Sequence, residues 1–128
     1  MLYMFLLHWN EQDPPVAPAE AIGAHFAFAE EARARGAYVS SEAIGGTAVA
    51  TTVRVRDNKT MITDGPFAET REVMGGFYIL ECKDLDEALG YAARIPDAKW
   101  AGVEVRPVMD VPGWDYGATA GYARQSMD

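Results

Sequence analysis

Two stretches of the chain are apolar on both faces of the strands they predict, and this pattern restricts the fold more than any other feature. In Leu2–His8 and Phe77–Cys82, odd and even positions are both mostly apolar. Successive side chains of a strand point to opposite faces of its sheet. Strands of this kind are therefore covered from both sides. We expect them to form the centre of a sheet with a layer of helices on one face and a second cover on the other.

Two amphipathic segments can supply the helical layer. The first runs from Pro18 to Ala34, with a proline tolerated in its first turn and Gly36 just beyond its end. The second begins at Asp84-Leu85-Asp86-Glu87, which has the spacing of a capping box, and stops before Pro96. Its apolar positions predict that Leu85, Ala88, Leu89, Ala92 and Ile95 are buried.

A β-hairpin is predicted between the two halves of the chain. Thr51–Arg56 alternates as a strand, and Asp57-Asn58 is a pair that accepts the positive φ angles of a two-residue turn. With that turn, Arg56 lies opposite Lys59 and Thr51 opposite Asp64. Val53, Val55, Ile62 and Asp64 then share one face, which we expect to be the buried apolar face.

The order of elements is strand, helix, strand, hairpin, strand, helix, strand. Two split β-α-β halves of this kind predict an α+β fold, the ferredoxin-like sandwich, in which helices cover one face of the sheet. A self-complementary homodimer, sheet against sheet, would cover the other face. We expect one domain over residues 1–109, followed by a tail over residues 110–128 whose aromatic residues dock on the domain or on a partner chain.

One run is specific enough to indicate a family. Asp64-Gly65-Pro66-Phe67-Ala68-Glu69-Thr70-Arg71-Glu72 resembles the signature of the DGPF branch of the YCII-related family, and residues 1–7, 51–56 and 95–108 extend the likeness. The resemblance implies a ferredoxin-like sandwich of the dimeric α+β barrel type, dimerising through its sheet. It also implies that a histidine on the first helix can pair with an aspartate.

Composition excludes several classes of partner. A formal net charge of −8 argues against nucleic acid and anionic membranes, because both require a basic surface. No apolar run is long enough to cross a membrane. The single cysteine, Cys82, predicts a reducing cytoplasmic compartment, and one cysteine with two histidines makes a structural zinc site unfavourable. We expect no metal and no cofactor.

Two residues are the candidates for chemistry. His25 lies near the middle of the apolar stripe of the first helix, together with Ile22 and Phe26. It is either a hydrogen-bonded core histidine or an acid–base group in a pocket between helix and sheet. Asp64 either organises the turn that follows it or takes part in chemistry beside His25. The residues expected to bind substrate near them are Arg54, Phe67, Glu69 and Arg71.

These candidates support two functions. The first is a small acid–base enzyme, of isomerase or lyase type, in which a His25–Asp64 pair acts on a small organic molecule. The alternative is a non-catalytic dimeric module that binds a metabolite or has a regulatory accessory role. No phosphate loop, dinucleotide fingerprint, nucleophile elbow or zinc-protease helix is present in the sequence.

Overall fold

The computed structural model describes residues 1–114. The aromatic part of the predicted tail beyond Trp114 lies outside the described residues. The elements in chain order are β1 (Leu2–Trp9), α1 (Pro18–Ala34), β2 (Tyr38–Ala43), a 3₁₀ turn (Thr47–Val49), β3 (Thr51–Arg56), β4 (Lys59–Asp64), β5 (Val73–Glu81), α2 (Leu85–Arg94), α3 (Asp97–Trp100) and β6 (Gly102–Pro107).

Four strands form an antiparallel sheet in the order β2-β5-β1-β6, with β1 and β5 in the centre. The two strands predicted to be covered on both faces are thus the central pair. Chain order and strand order together are those of two interlocked β-α-β halves, so the prediction of an α+β ferredoxin-like sandwich is confirmed.

The core lies between the sheet and helices α1 and α2. It includes Tyr3, Phe5 and Leu7 from β1, Tyr78 and Leu80 from β5, Phe28 and Ala32 from α1, and Tyr91 and Ile95 at the end of α2. The capping box of α2 is formed, since the Glu87 backbone N–H donates to Asp84 Oδ1 at 2.9 Å.

The predicted apolar stripes of the helices are only partly buried. On α1, Ile22 is 53% exposed and Phe26 is 70% exposed. On α2, Leu85 and Leu89 are about half exposed, and the buried side chain missed by the prediction is Tyr91. On each helix the buried side chains span a narrower arc than the apolar stripe predicted from the sequence. One edge of that stripe therefore faces outward on each helix.

The hairpin is formed with the predicted register, in which Thr51 lies opposite Asp64 and Arg56 opposite Lys59. Asp57 and Asn58 have φ angles of 52° and 61°, as a two-residue turn of this type requires. The prediction that its apolar face is buried is wrong. β3 and β4 form a separate two-stranded sheet, and Val53, Val55 and Ile62 are all more than half exposed.

Two adjacent glycines, Gly75 and Gly76, lie within β5. A Cβ atom on Gly76 would be 2.7 Å from the carbonyl oxygen of Glu42 in β2, so only glycine permits the observed approach of these strands. Beside it, Gly75 packs against the indole of Trp9. The glycines therefore serve strand pairing.

The topology brings several connections to one end of the sheet. β1 and β2 end there, whereas α1, β5 and β6 begin there, and the inserted hairpin and α3 are attached at the same end. Side chains in the first half of α1 and in the middle of β5 therefore lie close to α3. No helix within residues 1–114 is long and apolar enough to cross a membrane.

Candidate functional site

His25 has polar partners at both of its ring nitrogens. Nδ1 lies 2.8 Å from the Tyr78 hydroxyl oxygen, and Nε2 lies 2.7 Å from Oδ1 of Asp97. The His25 side chain is 24% exposed, whereas Asp97 is buried. Trp100 completes the group with an edge contact to the imidazole at 6.3 Å between ring centroids. These four residues are called the His25 cluster below.

Three elements hold the cluster together. His25 is two turns into α1, where the helical period directs it towards β5. Tyr78 lies on the helix-facing side of β5, opposite Phe5 of β1, and its ring packs against Phe28. Asp97 begins the one-turn helix α3 directly after Pro96. Side chains from α1, β5 and α3 therefore meet at one point.

The partners of the ring assign its tautomer. An ionised carboxylate only accepts hydrogen bonds, so Nε2 carries the proton that faces Asp97. Nδ1 then holds a lone pair and accepts from the Tyr78 O–H group. The Nε2 proton is not well aligned with Oδ1, and within residues 1–114 this oxygen has no aligned donor. The His25–Asp97 contact is therefore a short electrostatic contact rather than an ideal hydrogen bond.

Burial keeps Tyr78 protonated. The pKa of Tyr78 is raised to about 12, mainly because its hydroxyl is removed from water; nearby Tyr38 and Asp97 add to this rise, and Arg33 opposes it. A phenol of this kind acts as a neutral hydrogen-bond donor at physiological pH. It can pass a proton on without becoming a stable phenolate.

The structure pairs His25 with a different carboxylate from the predicted one. Asp64 is exposed at the end of β4, and both ring nitrogens of His25 are already in contact with Tyr78 and Asp97. Within residues 1–114, no hydrogen bond or ion pair joins His25 to the hairpin or to the loop after it. The hairpin forms a two-stranded sheet of its own, separate from the four-stranded sheet that carries Tyr78.

The other predicted binding residues lie on that hairpin and loop. The Arg54 guanidinium lies 4.9 Å from the centre of the Phe67 ring, and it contacts the Phe67 carbonyl oxygen at 3.5 Å. Glu69 and Arg71 are exposed. A role for these residues in binding stays a prediction.

Sequence reasoning missed Asp97 and Tyr78. Asp97 belongs to a four-residue helix, and a helix this short gives no periodic signal in the sequence. Its one local marker was a position directly after Pro96, where an acidic residue suits a helix start. Tyr78 lies in a strand whose apolar pattern does not indicate a polar role, although a buried tyrosine hydroxyl usually has a partner.

A second set of polar groups lies next to the cluster, where α1 passes over β2. The Arg33 guanidinium lies 4.2 Å from the centre of the Tyr38 ring. The Tyr38 hydroxyl is hydrogen-bonded to Ser41 Oγ at 2.5 Å. Ser41 is the cross-strand partner of Tyr78, and both side chains are on the helix-facing side of the sheet.

A shallow depression of about 420 Å³ lies elsewhere, between the end of α1 and α2. Its lining residues are Arg35, Glu87, Gly90, Tyr91 and Arg94. None of these belongs to the His25 cluster, so the depression and the His25 cluster are separate features.

Comparison with known protein families supports the architecture. The model of the YCII-related domain matches residues 1–112. The chain belongs to the YCII-related domain family. The match covers every strand and helix described above, including α3 with Asp97.

Two related proteins show how far the likeness extends. Over 64 residues the YCII-related chain is 44% identical to an uncharacterized protein of Rhizobium meliloti (strain 1021). The aligned stretch covers 48% of this chain and 52% of that protein. The chain thus spans about half the length of that curated relative. It also resembles the structure of 5-chloro-2-hydroxyhydroquinone dehydrochlorinase from Burkholderia phenoliruptrix in complex with 2,5-dihydroxybenzoquinone. That likeness has a TM-score of 0.53 at 18% identity, covers 90% of this chain and 100% of the other, and concerns the fold.

Proposed function

We propose that this YCII-related protein is a small acid–base enzyme that moves a proton on a small organic molecule. The observation that carries the proposal is the series formed by the Tyr78 hydroxyl, the His25 imidazole and the Asp97 carboxylate, with contacts of 2.8 and 2.7 Å. A hydroxyl, an imidazole and a carboxylate in this order are the parts of a proton relay, in which the carboxylate orients the ring.

The relay has two states. In the first, His25 is neutral and Tyr78 donates its proton to Nδ1. When a substrate proton moves to the Tyr78 oxygen, the phenolic proton moves to Nδ1, so the substrate loses one proton and His25 gains it. In the second state, Nδ1–H donates to the Tyr78 oxygen, and the Tyr78 O–H group can return a proton to another substrate atom.

Asp97 makes the charged intermediate of this cycle favourable. The protonated ring faces a buried carboxylate at 2.7 Å, and an opposite charge at that distance in a poorly solvated place stabilises the imidazolium. Returning the proton to a different atom gives an isomerisation, and loss of a leaving group after proton removal gives an elimination. Both reactions fit the isomerase or lyase class.

The fold relative suggests a first probe. Its name describes the removal of hydrogen chloride from a hydroxylated aromatic ring, and its structure contains 2,5-dihydroxybenzoquinone. This compound has ring C–H groups whose exchange with solvent reports proton transfer. We therefore expect the protein to accelerate the exchange of these ring protons for deuterium in D₂O, measured as loss of their ¹H NMR signal.

The variants decide which residue is responsible. General acid–base catalysis typically contributes a factor of about 10²–10⁴, so His25→Gln is expected to lower the exchange rate at least tenfold. The matched control is His8→Gln, because His8 lies on the opposite face of the sheet near Glu104. No acceleration by the wild-type protein, or equal rates for wild type and His25→Gln, would refute the proposed function.

The homodimer, the cytoplasmic compartment and the DGPF branch are proposed alongside the relay, and the relay does not depend on them. The uncovered face of the sheet carries the half-buried side chains of Met4, Leu6 and Phe77, which supports a homodimer through this face. Sedimentation of wild type and Leu6→Glu tests it, since only the wild type is expected to dimerise.

Cys82 is free and buried, which supports a reducing compartment such as the cytoplasm. The Asp64–Glu72 run supports placement in the DGPF branch.

The alternative function is a non-catalytic binding module. It is favoured by the exposed apolar face of the hairpin, where Val53, Val55 and Ile62 have no cover in the single chain. Exposed apolar patches commonly mark interaction surfaces. In that case the His25 cluster would be a structural network, and the exchange assay above would show no activity.

A further inference from the structure

The side of α1 that faces β2 combines one cation with apolar side chains. At about 100° per residue, Ile22, Arg33 and Phe26 lie within about 40° of one another around the helix. Arg33 contacts Tyr38 of β2, so this side of the helix is the one above β2. Ile22 and Phe26 are 53% and 70% exposed there. With Ser41, these residues form what we call the α1–β2 strip: Ile22, Phe26, Arg33, Tyr38 and Ser41.

Arg33 is the unusual member of the strip. The described arginines that form ion pairs are Arg35 and Arg94, which share Glu31, and Arg106, which binds Glu104. Within residues 1–114 the Arg33 guanidinium has an aromatic ring beneath it and no carboxylate partner. In a chain with a net charge of −8, an exposed arginine held in place without a carboxylate is suited to bind an external anion.

The strip adjoins the His25 cluster. Ser41 lies opposite Tyr78 in the sheet, and the Tyr38 hydroxyl is hydrogen-bonded to Ser41 Oγ. The hydroxyl groups of Tyr38 and Ser41 therefore lie between Arg33 and the relay. Arg33 is also close enough to Tyr78 to lower the pKa of its phenol, against the effect of burial. His25 and Arg33 are separated by eight positions, or about 12 Å along the axis. Helical side chains lean towards the N-terminus, which directs Arg33 towards His25.

We infer that the substrate of this site is a small organic anion, whose charged oxygen binds to Arg33 while its reacting atom lies at the Tyr78 hydroxyl. The inference rests on the proposed function. Tyr38 fixes the plane of the guanidinium by stacking, and Ser41 offers a hydroxyl to a second polar group of the ligand. Ile22 and Phe26 supply apolar contact for the carbon skeleton. The strip therefore selects an anion with a flat or compact apolar part.

Binding measurements test this independently of catalysis. The probe is 2,5-dihydroxybenzoquinone, whose acidic hydroxyls make it an anion at neutral pH, and its neutral counterpart is 2,5-dimethoxybenzoquinone. Isothermal titration calorimetry is expected to show that the wild type binds the anion at least tenfold more tightly than the neutral compound. Arg33→Gln is expected to raise the dissociation constant of the anion at least tenfold and to leave that of the neutral compound within twofold.

The matched control is Arg35→Gln on the same helix, because Arg35 is exposed and already paired with Glu31. It is expected to change the dissociation constant of the anion less than twofold. Arg33→Lys keeps the charge without the planar fork and is expected to fall between wild type and Arg33→Gln. No detectable binding of the anion, equal binding of both compounds, or equal effects of Arg33→Gln and Arg35→Gln would overturn the inference.

The two proposals fail in different ways. Binding of the anion that depends on Arg33, without deuterium exchange that depends on His25, supports the anion site and refutes the proton relay. Exchange that depends on His25 and is unchanged in rate and KM by Arg33→Gln supports the relay and refutes the anion site. The His25→Gln variant is expected to bind the anion normally, since the charge is held by Arg33.

Discussion

Replacement of Tyr78 by phenylalanine removes one hydroxyl and keeps the ring that packs against Phe28 at 5.0 Å between centroids. The hydroxyl donates to His25 Nδ1 at 2.8 Å. A hydrogen bond of this kind contributes about 1 kcal/mol to stability. The cost stays near that value because His25 is 24% exposed and water can replace the lost donor. At pH 8 we therefore expect Tyr78→Phe to be less stable than wild type by about 1 kcal/mol.

The difference should shrink as the pH rises. The pKa of Tyr78 is raised to about 12 in the folded protein, whereas a tyrosine in the unfolded chain has a pKa of about 10. Between these values the unfolded chain releases the phenolic proton while the folded chain retains it. The stability that this group contributes is fully present below pH 10 and is lost as the pH rises through 12. Linkage gives a loss of about 1.4 kcal/mol by pH 11.

The phenylalanine variant has no such group, so only the wild type suffers this loss. We expect the two proteins to be about equally stable near pH 11. Urea unfolding followed by far-UV circular dichroism at pH 8, 10 and 11 measures the difference. Tyr3→Phe is the control for removing a buried tyrosine hydroxyl outside the His25 cluster, since Tyr3 contacts the Met1 sulfur instead. A stability difference between wild type and Tyr78→Phe that is the same at pH 8 and pH 11 would refute the reasoning.

Three further expectations concern the fold and the thiol. Gly76→Ala should destabilise the protein by about 1–3 kcal/mol, because the new Cβ would lie 2.7 Å from a backbone oxygen of β2. Gly90→Ala in α2 has open space around it and should stabilise the protein by about 0.5–1 kcal/mol. Urea unfolding of both variants measures these changes, and equal effects would contradict the account. Asn58→Val should cost about 1–2 kcal/mol because its φ is 61°, seen as faster amide exchange in the hairpin alone; unchanged exchange there would argue against it. Burial raises the pKa of Cys82 to about 11. At pH 8 its thiol should therefore react with a disulfide reagent at least tenfold more slowly in the folded protein than in the protein unfolded by urea. Similar rates in the two states would count against a buried thiol.

Much of the fold could be predicted because its signals are local. The Asp57-Asn58 turn determines the hairpin register by backbone geometry alone, and the observed pairing of Thr51 with Asp64 follows from it. The helix from Pro18 to Ala34 begins and ends where proline and glycine indicate. Alternating and doubly apolar strands identify the central pair β1 and β5. These features need no knowledge of distant contacts.

The exposure of side chains could not be predicted in the same way. Periodicity shows that Ile22 and Phe26 are apolar, but only the position of β2 relative to α1 determines which edge of the helix is covered. The hairpin is similar, since alternation places Val53 and Ile62 on one face without showing whether anything packs against it. In both cases the missing information is the placement of one element against another.

The partner of His25 was beyond sequence reasoning for a related reason. The prediction chose Asp64 because it lies in a distinctive motif, whereas the residue in contact is Asp97, which belongs to a one-turn helix. A local motif marks a special backbone conformation more directly than it marks a neighbour in space. Only the packing of the two β-α-β halves against each other shows that Asp97, and not Asp64, contacts His25.

The attachment of α3 has a consequence for inactivation. The helix is held by few backbone hydrogen bonds, including Ala98 to Ile95, Lys99 to Pro96 and Ala101 to Asp97. Short segments of this kind open locally at a lower free energy than the strands of a central sheet. Mild heat or low concentrations of urea should therefore detach the carboxylate from the imidazole while the β1–β5 pair stays intact. The working temperature of the protein would then be set by four residues, well below the temperature at which the whole domain melts.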